Sequence, residues 1–289
     1  MRILILGGNG MLGHAAWQSF KNNFDVCVTV RGDFSDVGKF AIFDKIKTIC
    51  GVNAEDFSNI EKIVSSVKPE VILNCIGIVK QVSAANNPIK SIEINSLFPH
   101  KLAALCSSVN CRLIHISTDC VFSGDKGRYM ENDIPDSVDL YGRSKLLGEV
   151  IAGTALTIRT SIIGRELGTK HGLLEWFLSQ QDKSVKGYTK VIFSGFTTTA
   201  LCAILKDIII NHKNLKGLYH VSSEPISKYD LLSLIKEEMD INIEIIPDDE
   251  LKCDRSLDSL KFCSETAYTI PSWEDMIKEM SEAIKKEAR

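Results

Sequence analysis

Tyr141 and Lys145 stand four residues apart in the stretch Tyr-Gly-Arg-Ser-Lys. On a helix this spacing places both side chains on one face, because residues i and i+4 are neighbours on the helix surface. An ammonium beside a phenol favours the phenolate and lowers the phenol pKa from its ordinary value of about 10. The pair therefore predicts a tyrosine that donates or accepts a proton near neutral pH.

A second pair of chemically useful side chains, Ser117 and Thr118, ends the apolar stretch that precedes this helix. The carboxyl ends of parallel strands face the ligand crevice of an open α/β sheet. A hydroxyl at that place can hydrogen-bond a substrate carbonyl, and Thr118 is the candidate. The alternative is that Thr118 only caps the end of the strand.

A glycine-rich turn follows the first apolar stretch of the chain and opens a helix. Glycine at such spacing allows a tight turn, close approach of the backbone to a pyrophosphate, and close helix–strand packing. The phosphate charge then meets backbone N–H groups at the helix N-terminus. The turn predicts dinucleotide binding by Gly7, Asn9, Gly10, Met11, Leu12 and Gly13.

The end of the second strand indicates which dinucleotide is bound. An acidic residue there would hold the ribose hydroxyls of NAD, whereas Arg31 is suited to the 2′-phosphate of NADP. Asp33 lies close by and leaves NAD(H) as the less favoured alternative to NADP(H). Asn74 and Gly77 close the next apolar strand, where a cofactor ribose would lie. Their alternative role is that of a simple strand-end turn.

The elements that must position these residues alternate between apolar strands and helices up to about residue 160. Such alternation predicts an α/β fold with a Rossmann-type doubly wound parallel sheet. We expect a dinucleotide-binding domain over 1–160 and a smaller C-terminal α/β substrate lobe over 161–289, interleaved with the first. One long helix is expected over 88–110, bent or broken at Pro99, and another from residue 140 to about 152.

Composition excludes several other classes of protein. The 289-residue chain has a net charge of −3, without the basic face typical of nucleic-acid binding. No apolar run approaches the roughly 18 residues of a membrane helix, and no signal peptide is recognised. The nine cysteines are scattered, with no C-x-x-C pair and no metal-ligand spacing. We therefore expect a cytoplasmic protein with reduced thiols, no metal, and no nucleic-acid or membrane partner.

Three stretches together resemble the extended short-chain dehydrogenase/reductase superfamily, and within it the dTDP-4-dehydrorhamnose reductases and their nucleotide-sugar relatives. They are GGNGMLG at 7–13, HISTDCVFSGDKGRYMENDIPDSVDLYGRSKLLGE at 115–149, and LTIRTSIIG at 156–164. The resemblance implies reduction of a 4-keto-6-deoxy sugar attached to a nucleoside diphosphate. In that chemistry Thr118 hydrogen-bonds the ketone, Tyr141 protonates it, and Lys145 tunes Tyr141 and holds the nicotinamide ribose.

Cys120 departs from the rhamnose-reductase pattern, which usually has an aromatic residue at that position. GDP-fucose synthase, a relative, has a cysteine there that acts as a base in epimerisation beside the ketone. The resemblance implies the same role for Cys120, with His171 as the acid; Lys170 is next to it and stays an alternative. The competing interpretations are that Cys120 merely lines a pocket and that His171 is an ordinary loop histidine.

The segment GRELGTKHGLLEWFLSQ is similar to reductases of UDP-2-acetamido-2,6-dideoxy-hexos-4-uloses, which combine C3 epimerisation with C4 reduction in pathways to acetamido-L-sugars of the N-acetyl-L-rhamnosamine type. It is the preferred match. The resemblance also indicates a substrate-binding set in which the arginines either hold phosphates or form structural ion pairs. This set is Arg159, Arg165, Lys170, Ser194 and Thr197.

Three functions remain open. The first is an NADPH-dependent 3-epimerase/4-reductase, the second a monofunctional 4-reductase of the dTDP-4-dehydrorhamnose type, and the third a non-catalytic NADP-binding regulatory subunit. Relatives of the third kind tend to lack the Tyr and Lys, which are present here. The oligomeric state is also open, because the apolar stripe of the terminal helix could cover either its own lobe or a second subunit in a homodimer.

Overall fold

The computed structural model of the protein describes residues 1–81 and 83–287. Within these ranges the strands are β1 (Arg2–Leu6), β2 (Asp25–Thr29), β3 (Thr48–Ile49), β4 (Val71–Asn74), β5 (Arg112–Thr118), β6 (Leu156–Thr160), β7 (Ile162–Ile163), β8 (Ser184–Tyr188), β9 (Val191–Phe193), β10 (Phe196–Thr197), β11 (Gly217–His220), β12 (Ile226–Ser227), β13 (Glu244–Asp248) and β14 (Cys253–Asp254). The α-helices are α1 (Met11–Phe20), α2 (Phe34–Gly38), α3 (Phe57–Val67), α4 (Pro88–Ser91), α5 (Phe98–Ser108), α6 (Leu140–Leu147), α7 (Leu173–Leu178), α8 (Thr198–Ile210), α9 (Lys228–Met239), α10 (Leu260–Thr266) and α11 (Trp273–Glu287).

Seven strands form the main sheet in the order β11-β6-β5-β4-β1-β2-β3. The pairings from β3 through β2, β1 and β4 to β5 are parallel. The order reverses at β1, so the carboxyl ends of β1 and β4 lie side by side, where a doubly wound sheet forms its ligand crevice. The predicted Rossmann-type α/β fold is confirmed.

Both faces of the sheet are buried at its central strand β1, whose residues are apolar on either side. Leu4 and Leu6 of β1 belong to a buried cluster with Ile60 and Val64 of α3 and Phe98 of α5. Ile3 and Ile5 alternate with them and are equally buried, and α1 contacts β1 and β2. Burial on both faces explains why this strand reads as an unbroken apolar run rather than an alternating one.

The helix expected over 88–110 is interrupted one turn before Pro99. The chain forms α4, then a π-helical segment over Ile92–Leu97, then α5. The N–H of Phe98 donates to the carbonyl of Glu93, five residues back. Since Pro99 has no N–H, it cannot donate to the carbonyl of Asn95, and the wider turn falls where that donor is missing.

The helix that carries Tyr141 and Lys145 is also shorter than expected, ending at Leu147 instead of about residue 152. Gly148 lies against the backbone of the π-helical segment, where a Cβ would come 1.8 Å from the carbonyl oxygen of Asn95. The helix therefore ends where Gly148 packs against Asn95, and Glu149 is the first residue after this contact.

The chain groups into two compact units, each built from three segments. Unit 1 comprises Met1–Ser117, Val138–Ile158 and Cys202–Leu218, and it holds most of the main sheet. Unit 2 comprises Thr118–Ser137, Arg159–Leu201 and the chain from Tyr219. A domain division at residue 160 stays a prediction.

Unit 2 contains three small sheets, β10-β7, β12-β9-β14 and β13-β8, with helices α7, α9, α10 and α11. The apolar stripe of α11 is buried through Trp273, Met276, Ile277 and Met280, and α11 contacts α9 of the same unit. The stripe therefore covers its own unit, and a homodimer stays a prediction.

Candidate active site

The glycine turn between β1 and α1 is built for close backbone contact. Gly7 has a φ of +88°, which favours glycine. A Cβ on Gly13 would lie 2.0 Å from the carbonyl oxygen of Gly7, and one on Gly8 would lie 2.2 Å from a Val28 methyl group. The turn can therefore hold the helix N-terminus against the strand end only with glycine at these positions, as a pyrophosphate-binding loop requires.

A groove of about 330 Å³ runs past this turn in unit 1. It brings together five of the residues predicted to bind the cofactor: Gly7, Asn9, Gly10, Arg31 and Gly77. Its other walls come from 52–55, 75–78, Thr29, Lys90 and Ile94. Arg31 is exposed at the end of β2, whereas Asp33 begins helix α2, its N–H donating to Asp36 Oδ2 at 2.9 Å. The groove thus brings the glycine turn and Arg31 to one lining, as binding of a dinucleotide would require.

Three other residues that were predicted to bind the cofactor, Met11, Leu12 and Asn74, do not line the groove. Leu12 is 5% exposed and packs inside, while Met11 begins α1. The Asn74 side chain is fully buried: Oδ1 accepts from Ile76 N at 3.1 Å, and Nδ2 contacts His115 Nδ1 at 3.0 Å. Asn74 therefore shapes the turn after β4 instead of presenting its amide to a ligand.

Tyr141 and Lys145 lie on consecutive turns of α6, which begins at the Asp139 cap, where the carboxylate accepts from Gly142 N at 2.7 Å. Lys145 is buried, and Nζ donates to the carbonyl of Ile116 at 2.8 Å. Burial lowers the pKa of Lys145 to about 8, against the opposing effect of Glu149. A Cβ on Gly77 would lie 3.8 Å from Lys145 Nζ. Gly77, which lines the groove, therefore lies close to the predicted catalytic lysine.

Asn95 is a site residue that the sequence did not single out. Its side chain is 1% exposed and bonds both backbone groups of Ile78, accepting from N at 2.8 Å and donating to O at 3.1 Å. It also donates to Ser144 Oγ at 3.1 Å. Its position in a stretch predicted as regular helix gave no sign of this role.

Thr118 ends β5 and begins a short 3-10 turn over Asp119–Val121. Its hydroxyl donates to Asp119 Oδ1 at 3.0 Å and accepts from Cys120 N at 3.1 Å. Burial raises the pKa of Asp119, and burial together with the Asp119 carboxyl raises that of Cys120 to about 12. Cys120 is therefore a neutral thiol here. Ser117 points elsewhere, with Oγ donating to Glu149 Oε1 at 2.7 Å.

The predicted substrate residues fall into two groups in unit 2. His171 and Lys170 are exposed in the loop before α7, and Arg165 is 38% exposed with its guanidinium paired to Glu175. The rest are buried and already bonded. Arg159 contacts His220 Nε2 at 3.1 Å, Ser194 Oγ accepts from Leu257 N at 3.0 Å, and Thr197 Oγ1 accepts from Ala200 N at 3.3 Å.

The family described as RmlD substrate binding domain matches residues 1–285. The chain belongs to this RmlD family.

Curated relatives share about a quarter of their residues with this RmlD-family chain. It is 26% identical over 250 residues to a dTDP-4-dehydrorhamnose reductase of Aggregatibacter actinomycetemcomitans, covering 82% of this chain and 79% of the relative. It is 24% identical over 256 residues to methionine adenosyltransferase 2 subunit beta of Danio rerio, covering 83% and 74%. The relatives thus include a protein named as a reductase and a protein named as a subunit.

Solved structures share the fold over nearly the whole RmlD-family chain. A dTDP-4-dehydrorhamnose reductase from Bacillus anthracis in complex with NADP superposes with a TM-score of 0.81 at 21% identity, covering 98% of this chain and 99% of that one. A hypothetical dTDP-4-dehydrorhamnose reductase from Sulfolobus tokodaii superposes with a TM-score of 0.79 at 25% identity, covering 95% and 98%.

Over residues 1–81 and 83–287, no cluster of His, Cys, Asp and Glu side chains is arranged to hold a metal ion. None of the helices in the same ranges is long and apolar enough to cross a membrane.

Proposed function

We propose that this protein reduces the C4 ketone of a nucleotide-linked 4-keto-6-deoxy sugar with NADPH. The observation that carries the proposal is the closeness of the groove lining to Lys145, because Gly77 lines the groove and a Cβ on it would lie 3.8 Å from Nζ. A nicotinamide ribose held at this end of a dinucleotide groove would lie beside the residues suited to proton transfer. The 26% identity to a dTDP-4-dehydrorhamnose reductase supports the same reaction class.

NADPH, when bound, supplies the hydride that arrives at C4 of the sugar. Tyr141 donates its phenolic proton to the C4 oxygen, so that the ketone becomes an alcohol without a free alkoxide. Lys145 favours the ionised phenol that this transfer leaves behind, because a nearby ammonium stabilises it. Thr118 donates a hydrogen bond to the same oxygen, for which its hydroxyl must turn away from Asp119.

Arg31 supports the choice of NADPH over NADH. Its side chain is exposed and lines the groove at the end of β2. A guanidinium offers several donors in a plane and matches the oxygens of a phosphate group. We assign Arg31 to the 2′-phosphate.

The substrate we propose is UDP-2-acetamido-2,6-dideoxy-hexos-4-ulose, with epimerisation at C3 in the same site. The C4 ketone acidifies the C3–H bond, Cys120 removes that proton, and His171 or Lys170 returns one to the opposite face. Burial and the Asp119 carboxyl raise the pKa of Cys120 to about 12. Cys120 can therefore act as the base only after its own thiol proton has passed to solvent, because the thiolate is the form that takes up the C3 proton. Arg165 and Lys170, both exposed cations of unit 2, are proposed to hold substrate phosphates.

The neutral Cys120 thiol supports a second candidate, a 4-reductase without epimerase activity. The similarity to methionine adenosyltransferase 2 subunit beta supports a third, an NADP-binding subunit without activity of its own. The presence of Thr118, Tyr141 and Lys145 favours an enzyme over the third candidate.

One incubation separates these candidates. The protein is mixed with NADPH and UDP-2-acetamido-2,6-dideoxy-hexos-4-ulose in deuterated water, NADPH oxidation is followed, and deuterium is located in the product. NADPH loss with deuterium at C3 is the expected result. NADPH loss without deuterium at C3 leaves the plain reductase. No loss with this sugar, or with dTDP- and GDP-linked keto sugars, together with measurable NADPH binding, supports the subunit.

The Cys120→Ser variant tests the base directly. We expect it to lose deuterium incorporation at C3 while still reducing a ketone that is already epimerised. Cys263→Ser, a partly exposed cysteine elsewhere in unit 2, is the matched control. Full activity of Cys120→Ser on the unepimerised sugar would show that this cysteine is not the base.

A further inference from the structure

Ser117 and Glu149 form a partly buried contact next to the C-terminal end of the helix that carries Tyr141 and Lys145. Ser117 Oγ donates to Glu149 Oε1 at 2.7 Å, and Ser117 is 4% exposed. Glu149 follows the end of α6, and its N–H donates to the carbonyl of Leu146 at 3.1 Å. Gly148 packs against Asn95 and restricts the backbone that carries Glu149, while Ser117 holds the carboxylate.

Lys145 lies in a setting that opposes its positive charge. The side chain is 5% exposed, and burial is the main cause that lowers its pKa, to about 8. With this pKa the lysine stays mainly protonated at pH 7, but a further fall of the pKa would make it mainly neutral. The Ile116 carbonyl accepts from Nζ, but a neutral dipole compensates a buried charge only in part.

The titratable groups that face Lys145 differ in what they can do for that charge. Cys75, beside the groove, has its pKa raised by burial and stays a neutral thiol. His115, on β5, has its pKa lowered well below the ordinary value by burial and stays neutral. Tyr141 shares the helix face. Glu149 is the carboxyl group among them. It is bonded to Ser117, the neighbour of Ile116 whose carbonyl binds Lys145 Nζ, so the two charged groups are held at adjacent residues of β5. Its charge acts to raise the pKa of Lys145.

We propose that Glu149, anchored by Ser117, is a positioning residue that keeps Lys145 in its ammonium form and seated on the Ile116 carbonyl. Ser117, Glu149, Lys145 and Ile116 all lie in unit 1. Its catalytic consequence rests on the proposed reductase function, because the Lys145 charge favours the ionised Tyr141. In this proposal Ser117 acts through Glu149 and Lys145, whereas its neighbour Thr118 donates its hydroxyl to the substrate.

The test measures the ionisation of Lys145 without requiring turnover. Lysine labelled with ¹³C at Cε is incorporated, the Lys145 resonance is assigned by its loss in Lys145→Met, and its shift is followed from pH 6 to pH 10. Glu149→Gln is expected to lower the titration midpoint of Lys145 by about one pH unit. Ser117→Ala should lower it less, because the carboxyl group remains in place of an amide but loses its anchor. Glu61→Gln, an exposed glutamate on α3, makes the same charge change as a control and should leave the midpoint unchanged.

Kinetics then connect the titration to the reaction. The alkaline limb of the kcat/KM profile for ketone reduction should move to lower pH in Glu149→Gln by the same amount, and Glu149→Asp should restore it in part. An unmoved Lys145 midpoint in both Glu149→Gln and Ser117→Ala would overturn the proposal, as would an equal shift in Glu61→Gln. If no keto sugar is reduced at all, the proposed function fails, and the titration still decides the role of Glu149.

Discussion

Asn95 and Ser144 connect the wall of the nucleotide groove to the helix of the proposed catalytic pair. Asn95 Nδ2 donates to Ser144 Oγ at 3.1 Å while the same amide bonds both backbone groups of Ile78. Ile78 lines the groove, and Ser144 precedes Lys145 on α6. One buried amide therefore connects a wall of the groove to the helix that carries Tyr141 and Lys145.

Replacing this amide should impair both stability and turnover. In Asn95→Ala the backbone groups of Ile78 lose their partners inside the protein, at a cost of about 2 kcal/mol in the free energy of unfolding. We expect kcat for keto-sugar reduction to fall at least about tenfold, because small displacements of reacting groups are costly. Denaturant unfolding and steady-state kinetics measure the two effects. The exposed Asn242→Ala serves as control, and wild-type kcat in Asn95→Ala would contradict the connection.

The sequence predicted the glycine turn, the helix of Tyr141 and Lys145, and the parallel sheet, because each depends on local spacing or on strands buried along their whole length. It did not predict the π-helical segment or the early end of α6. The π-helical segment lies just before Pro99, where a bend or break was expected but its form was not. The early end of α6 lies where Gly148 meets Asn95, two positions 53 residues apart in the chain. The engagement of Ser117 by Glu149 was missed for the same reason: neither residue's pattern indicates which partner it meets after folding.

Gly13→Ala tests the glycine turn as a dinucleotide site. The added methyl group would lie 2.0 Å from the Gly7 carbonyl oxygen, so α1 must move away from the turn. We expect NADPH affinity, measured by calorimetric titration, to fall at least about tenfold, which corresponds to about 1.4 kcal/mol. Ala15→Ser on the same helix is the control. Unchanged affinity in a folded Gly13→Ala protein would place the cofactor elsewhere.

Arg31→Ala tests the preference for NADPH. Loss of the guanidinium removes charge-assisted hydrogen bonds to a 2′-phosphate, worth about 2 kcal/mol. The Kd for NADPH should therefore rise by about thirtyfold, while the Kd for NADH should change little. Lys90→Ala is informative as a comparison, because Lys90 is another cation that lines the groove. If Lys90→Ala removes the preference for NADPH over NADH and Arg31→Ala does not, the 2′-phosphate lies against Lys90 instead of Arg31.

The buried side chain of His220 should make the free energy of unfolding depend on pH. Burial, with the Arg159 guanidinium at 3.1 Å from Nε2, lowers the pKa of His220 to about 3, so the folded protein keeps it neutral. The unfolded chain binds a proton at this histidine below its ordinary pKa of about 6.5. Between pH 6.5 and 3 the unfolded state therefore holds more protons, and stability rises with pH.

The expected slope from His220 is about 1.4 kcal/mol per pH unit within that window, and it vanishes above pH 7. Urea unfolding of the wild type and of His220→Gln at pH 5.0, 6.0 and 7.5 measures it. His220→Gln should be less stable at pH 7.5, because its amide replaces the bonds to Tyr129 and Arg159 imperfectly. Its stability should nevertheless fall less between pH 6 and pH 5 than that of the wild type. The exposed His171→Gln, which leaves His220 in place, should keep the wild-type slope; equal slopes in His220→Gln and His171→Gln would mean that His220 does not couple folding to protons.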